Sequence, residues 1–248
     1  MKTAFLIKVR LNSTRLPQKA MLEVNGIPLV QHMIKRLKHA NYPNLVIIVC
    51  TSKNKENDSL EKIAKEEGVE IFRGNDTDVL QRFYDAAIHF GCDYILKAGA
   101  DNPLIATEWI PKALEVYKEK KPGLMTLTDL PIGCFFYGVD IKSLKQVIDK
   151  KNETDTEVWG GIFEEFGISR INIPVPEALH RPGYRLTVDY PEDFELIKKI
   201  IEHFGDDIYK TPTSEILQFL DDHPELAHLN IQNNEKYAQN ITKKESLH

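Results

Sequence analysis

Apolar residues fall into two alternating patterns along the chain. Short, β-branched runs of a few residues are separated by longer stretches in which apolar positions return every third or fourth residue. The first pattern fits strands buried on both faces, and the second fits amphipathic helices. On this reading residues 4–9 form a buried strand, and Leu29, Met33 and Leu37, with Val30 and Ile34, mark one face of a helix. Residues 45–50 form a second buried strand, 58–67 a helix and 69–72 a short strand. The helix predicted at 78–90 starts on Asp78, whose carboxylate can cap free amides. A strand at 94–97, a helix at 107–120 and strands at 124–127 and 135–139 follow. Helices at 141–150 and 154–166 come next, then strands at 171–174 and 185–188. Pro191 opens a helix carrying Phe194, Ile197, Ile201 and Phe204 on one side, as suits a residue with fixed φ and no N–H. A final helix runs from Thr211-Pro212 to about Asp221.

Strands alternating with helices imply a three-layer α/β/α fold, with a mainly parallel sheet covered on both faces. No long Gly/Ser- or Pro-rich linker divides the 248 residues. The simplest organisation is one catalytic domain over 1–210 and a helical extension over 211–248. A Pro- and Gly-rich excursion at 129–183 is expected to form a lid or a dimer arm. Sheets of this class hold ligands outside the carboxyl ends of their strands. The loops after Val9, Cys50, Lys97 and Val188 are therefore the places to seek chemistry.

Composition removes several functions. Hydrophobic residues at 42% and charged residues at 28% predict a packed core. Lys plus Arg number 32 against 37 Asp plus Glu, a net charge of −5, which argues against nucleic acid or an anionic membrane as partner. The longest apolar run, 45–50, is far short of the roughly 20 residues that span a bilayer. The amino-terminal residues lack the apolar stretch of a secretory signal, so a cytoplasmic protein is expected. Three cysteines without a CxxC pair make no disulfide framework, and the eight histidines show no metal-ligand spacing.

Three strand-end loops carry candidate chemistry. The first, Arg10-Leu11-Asn12-Ser13-Thr14-Arg15-Leu16-Pro17-Gln18-Lys19, holds three cations and no acid in an acidic protein. A polyphosphate needs such convergence, with Arg as a fork and Lys as a point charge. A solvated basic turn would read the same way on spacing alone, and the glycine-rich phosphate loop GxxxxGK[ST] is absent. In the second, Lys97-Ala98-Gly99-Ala100-Asp101-Asn102-Pro103, Gly99 permits close backbone approach and Asp101 stands just past a strand. The third, Leu186-Thr187-Val188-Asp189-Tyr190-Pro191, again ends a strand on a carboxylate. Two such carboxylates at one sheet edge can share a hard cation such as Mg²⁺. Glu192 and Asp193 read as ordinary complements of a helix dipole.

Together these segments resemble the cytidylyltransferases that make CMP-activated sugars, in the spore-coat-polysaccharide-type branch related to the CMP-Kdo and CMP-acylneuraminate synthetases. Residues 9–19 are similar to the family's A-R-x-x-S-T-R-L-P-G-K, with Gln18 where the family carries Gly. Glu70-Ile71-Phe72-Arg73-Gly74, Asp78-Val79-Leu80 and Arg82-Phe83-Tyr84 resemble the branch's F-R-G, D-V-L and R-Y-Y. Residues 101–105 and 185–193 resemble its G-D-x-P-L-I and R-L-T-V-D-x-P-E-D, with Gly99-Ala100 in place of Thr-Gly. The likeness runs from about residue 4 to 204. It implies a nucleotide-diphospho-sugar-transferase-like, Rossmann-like fold and transfer of CMP from CTP with release of pyrophosphate. It implies that Arg10 and Lys19 hold the triphosphate, with Leu11, Asn12, Ser13 and Arg15 in the same loop. Arg73 and Gly99 would line the nucleotide, and Asp101 and Asp189 would hold Mg²⁺. Arg10, Lys19, Asp101 and Asp189 are thus the expected catalytic set, in a homodimer.

For the acceptor, His180, Arg181 and Arg185 cluster before the last predicted strand, as an acidic sugar would require. Trp159, in Asp155-Thr156-Glu157-Val158-Trp159-Gly160-Gly161, is a further candidate, although a buried indole is the commoner outcome. A polyol phosphate or phosphonate acceptor, a nucleotide-sugar-dependent glycosyltransferase and a non-catalytic nucleotide-binding protein remain alternatives.

Overall fold

A computed structural model describes residues 1–13, 15–157, 159–237 and 239. Strand β1 (Thr3–Lys8) leads through a long loop to the hairpin of β2 (Glu23–Val24) and β3 (Ile27–Pro28), which feeds α1 (Leu29–Ala40). Asn25 and Gly26 turn that hairpin with φ of 53° and 74°, the left-handed pair that matches strand twist. Then come β4 (Leu45–Ser52), α2 (Ser59–Glu67), β5 (Glu70–Gly74), α3 (Val79–His89) and β6 (Tyr94–Gly99). A 3₁₀ turn at Thr107–Trp109 precedes α4 (Ile110–Lys120), followed by β7 (Leu124–Thr128), β8 (Tyr137–Asp140) and α5 (Ile141–Lys150). The remaining elements are α6 (Gly160–Glu165), β9 (Arg170–Pro174), α7 (Pro191–Phe204), α8 (Thr213–Asp222) and α9 (Pro224–Ala227).

The seven-stranded sheet has the order β5-β4-β1-β6-β8-β7-β9. Its neighbours are parallel except β8, which runs antiparallel to both β6 and β7. From β1 the chain steps outward to β4 and β5, then crosses to the other side of β1 as β6. Strand order reverses there, so the ends of β1 and β6 flank the crevice where such sheets bind ligands.

Side-chain alternation sorts the core into two layers. Phe5 and Ile7 of β1 join residues of α1, α4, α7 and α8, while Ala4 and Leu6 join residues of α3, α5 and α6. Ile216, Leu217, Leu220 and Ala227 of the carboxyl-terminal helices lie in the same cluster as Phe5. The stretch 129–183 supplies β8 and β9 to the central sheet. No helix among the described residues is long and apolar enough to cross a membrane.

Two predicted elements are corrected. The helix expected at 154–166 survives only as α6. The Thr156 amide donates to Thr77 O, its hydroxyl donates to Asp78 Oδ1 and accepts from the Leu80 amide, and Lys151 pairs with Asp78. These bonds pin 151–157 to the start of α3 and override its helical spacing. The strand expected at 185–188 is a single parallel bridge, Ile132 to Arg185. Its amides go to two separate segments, Leu186 to Ile132 O and Val188 to Asp101 O, so no ladder forms. The second bond ties Asp189's segment to the loop of Asp101.

Candidate active site

The loop after β1 reaches its position through local anchors. The Leu11 amide donates to Asn57 Oδ1 at 3.0 Å, and the Leu11 side chain is buried in the core. Gln18 adopts φ 50°, the left-handed conformation that suits the glycine of the related motif, and turns the chain into the single 3₁₀ turn that starts at Lys19. Asn12 and Arg15 are exposed and Ser13 is half-buried. Thr14 lies outside the described residues.

Lys19 Nζ donates to Asp101 Oδ2 at 2.7 Å and to Asp189 Oδ1 at 2.8 Å. One ammonium thus joins carboxylates that follow β6 and precede α7. Arg15 Nη2 donates to the same Asp189 oxygen at 2.6 Å, and Arg185 Nη2 holds Asp189 Oδ2 at 2.8 Å. Burial pushes the Asp101 carboxyl up, but Lys19 outweighs it and holds the group below the ordinary value. Burial likewise disfavours the Lys19 charge, and the two aspartates more than restore it. Gly99 is where it is because a Cβ would fall 2.1 Å from Asp101 Oδ1. Arg10 donates to Asp76 O, just past β5, and pairs with Glu157.

Asp193 is the residue that sequence reasoning missed. It is fully buried and accepts from the amides of Asp189 and Tyr190, from Arg185 Nε at 3.1 Å, and from Asn230 and Asn233. Its place in the first turn of α7 resembled a dipole complement; only the distant asparagines reveal a hub. Lys8 and Lys97 were missed as well. Each is the one charged residue in an apolar central strand, and that interruption was the available signal.

The residues predicted for other roles are placed differently. Arg73 donates to Ser52 O and Asn54 O and pairs with Asp58 and Glu61, so its guanidinium braces the loop after β4. His180 Nε2 lies 3.0 Å from Val175 O, and Arg181 forms a fork on Asp221 of α8. Neither joins Asp101 and Asp189. Arg185 does, but it is fully buried and engaged by Asp189 and Asp193, which removes it from solvent and from an acceptor. Trp159 is 5% exposed and packs edge-on against Phe83 and Tyr137, with only a small part of its ring open to solvent. Val158 lies outside the described residues. The three cysteines are buried and free, and burial pushes Cys134 up to about 12, which leaves it inert.

Chemically, the arrangement brings together cations that could meet phosphate oxygens and two carboxylates that could hold a hard cation. Two carboxylate oxygens already converge on one positive centre, Lys19 Nζ, so the pair would fit a divalent cation.

The chain matches the cytidylyltransferase family over residues 4–231. It is 27% identical over 237 residues to the spore coat polysaccharide biosynthesis protein SpsF of Bacillus subtilis, covering 90% of this chain and 95% of that one. It is 30% identical over 180 residues to a 3-deoxy-manno-octulosonate cytidylyltransferase of Nitratiruptor, covering 70% of this chain and 68% of that one. A cytidylyltransferase from Leptospira borgpetersenii superposes with a TM-score of 0.81 at 24% identity, over 92% of this chain and 97% of that one.

Proposed function

The chain belongs to the cytidylyltransferase family, and from that premise we propose that it transfers CMP from CTP to a sugar-type acceptor, with Mg²⁺ and release of pyrophosphate, in the synthesis of a surface polysaccharide or glycan. The observation that carries this reading is the bridge from Lys19 to both Asp101 and Asp189 at the reversal of strand order. The name of the Bacillus relative supports the polysaccharide role, and that of the Nitratiruptor relative supports an activated sugar as product.

The acceptor oxygen attacks the α-phosphorus in line and pyrophosphate leaves, so the work of the protein is positioning and charge neutralisation. Arg10, Arg15 and Lys19 would meet the triphosphate, and Lys19 would exchange its carboxylate partners for phosphate oxygens. Asp101 and Asp189 would hold Mg²⁺, which supplies positive charge at the phosphates. Arg185 and Asp193 keep the Asp189 carboxylate aimed before any ligand arrives.

Pyrophosphate release from CTP, measured across neutral, carboxylated and phosphorylated sugar acceptors, tests the proposal. Asp101→Asn and Asp189→Asn are each expected to lower it at least tenfold, since one electrostatic contact of this kind is worth about 3 kcal/mol. Full activity in both variants would remove the metal assignment. CTP binding without turnover of any acceptor would leave only a nucleotide-binding protein.

A further inference from the structure

Lys8 and Lys97 leave the same face of the sheet, since Leu6 and Ile95, two positions earlier on each strand, belong to the α3–α5–α6 side of the core. In the parallel register Lys97 stands opposite Leu6 and Lys8 opposite Gly99, so the two lysines are diagonal neighbours with no side chain at Gly99 beside them. Lys97 is 9% exposed. Its Nζ lies 4.7 Å from the ring centre of Tyr137 and 4.9 Å from that of Trp159. Among the described residues no hydrogen bond or ion pair reaches it. Lys8 has a loose pairing with Glu157 at 3.8 Å.

The charged groups that bear on Lys97 are Lys8 from β1, which repels it, and Asp101 from the loop after β6, which attracts it. Burial first and Lys8 second push the Lys97 amine down to about 7, against the pull of Asp101. Burial pushes Lys8 down too. Two neighbouring cations, one enclosed by aromatic rings and lacking a carboxylate, form an environment that an anion would complete. The place is significant: Lys97 and Tyr137 lie on β6 and β8, across the reversal from the β1 loop and β4–β5, with Asp101 at the junction. A triphosphate on the Arg10–Lys19 loop therefore leaves this half of the crevice to the second substrate.

We propose that Lys97, assisted by Lys8 and walled by Tyr137 and Trp159, binds an anionic group, a carboxylate or a phosphate, on the acceptor and so selects charged over neutral acceptors. This rests on the CMP-transfer reading for the identity of the second substrate. The pairing of the anion with Lys97 does not depend on turnover and can be measured alone.

The test is NMR of the full chain with ε-¹³C-labelled lysines, the Lys97 signal being identified by its loss in Lys97→Met. Inorganic phosphate, glucuronate, glucose 6-phosphate and glucose are added in turn, with and without CTP. At least one anion is expected to raise the Lys97 titration midpoint by one pH unit or more, while glucose leaves it unchanged. Lys8→Met is expected to weaken that response at least threefold. Response to glucuronate alone identifies a carboxylated acceptor; response to phosphate or glucose 6-phosphate identifies a phosphorylated one. The proposal is overturned if no anion moves Lys97, or if CTP alone abolishes the response, which would place the lysine in the triphosphate site. Failure of CTP to bind, or absence of pyrophosphate release, would instead count against the transfer reading and leave the Lys97 result standing.

Discussion

Asp189 shows how single residues are held ready. Its carboxylate is 2% exposed and surrounded by Arg15, Lys19 and Arg185, and its backbone amide donates to Asp193. Arg185 is the one fully buried cation of that group, with its ring-facing side under Tyr237 at 4.9 Å. Buried ion networks add little over an apolar packing of the same shape, but removing one member leaves the rest uncompensated. Arg185→Met is therefore expected to destabilise the protein by about 3 kcal/mol or more. A shift of the urea midpoint to lower concentration, with the slope unchanged, would measure it. An unchanged midpoint would mean that Arg15 and Lys19 already satisfy Asp189, and the two asparagines Asp193. The same residue explains a misreading. As one of three cations before a motif, Arg185 looked available to an acceptor, because spacing shows charge but not the carboxylates that claim it from within.

At the scale of elements, the connection before α6 is tied to α3 by one carboxylate. Asp78 caps the Gln81 amide at 3.1 Å, accepts from the Thr156 hydroxyl at 2.9 Å and pairs with Lys151. Asp78→Ala would remove all three bonds, and a lost cap with a buried ion pair costs about 2 kcal/mol or more. It would also free Glu157, the residue after Thr156, from its place beside Arg10. Lower thermal stability together with reduced pyrophosphate release is the expected outcome; lower stability at unchanged activity would separate the cap from the site. This junction also marks where the sequence stopped being legible. The strands and helices that bury a full face, such as 4–9, 45–50 and the helix from Pro191, appear close to their predicted bounds because apolar period alone determines them. Residues 154–157 and 185–188 do not, because their conformation is decided by partners far along the chain. The loop cations and Asp101 were legible for the opposite reason: each follows a strand whose end fixes where it stands. Lys97 went unread because one lysine hardly disturbs the apolar signature of a strand.

At the scale of the molecule, the fold carries two sets of buried charge with opposite consequences for pH. Asp101 is held below its ordinary value of 3.8 and Lys19 above 10.5, so their pairing stabilises the protein across the range between. It is lost as pH falls through the carboxyl value or rises through the amine value. Lys97 acts the other way. Its amine titrates near 7 when folded and near 10.5 when unfolded, so between those values the unfolded chain binds more protons. Stability contributed at this site therefore rises with pH across that window, by about 1.4 kcal/mol per unit at most. Lys97→Met removes the penalty while keeping an apolar stem against Tyr137 and Trp159. The variant is expected to exceed the natural protein in stability at pH 7, by roughly 3 °C in Tm for each kcal/mol regained. The gap should narrow steadily toward pH 10, because the lysine is already neutral in the fold and the unfolded chain's preference for the charged form fades as pH approaches 10.5. Thermal melts of the two proteins at pH 7, 8.5 and 10 would read that trend directly. A gap that is constant with pH would mean that Lys97 keeps its charge when buried, and that some group other than bulk water already balances it.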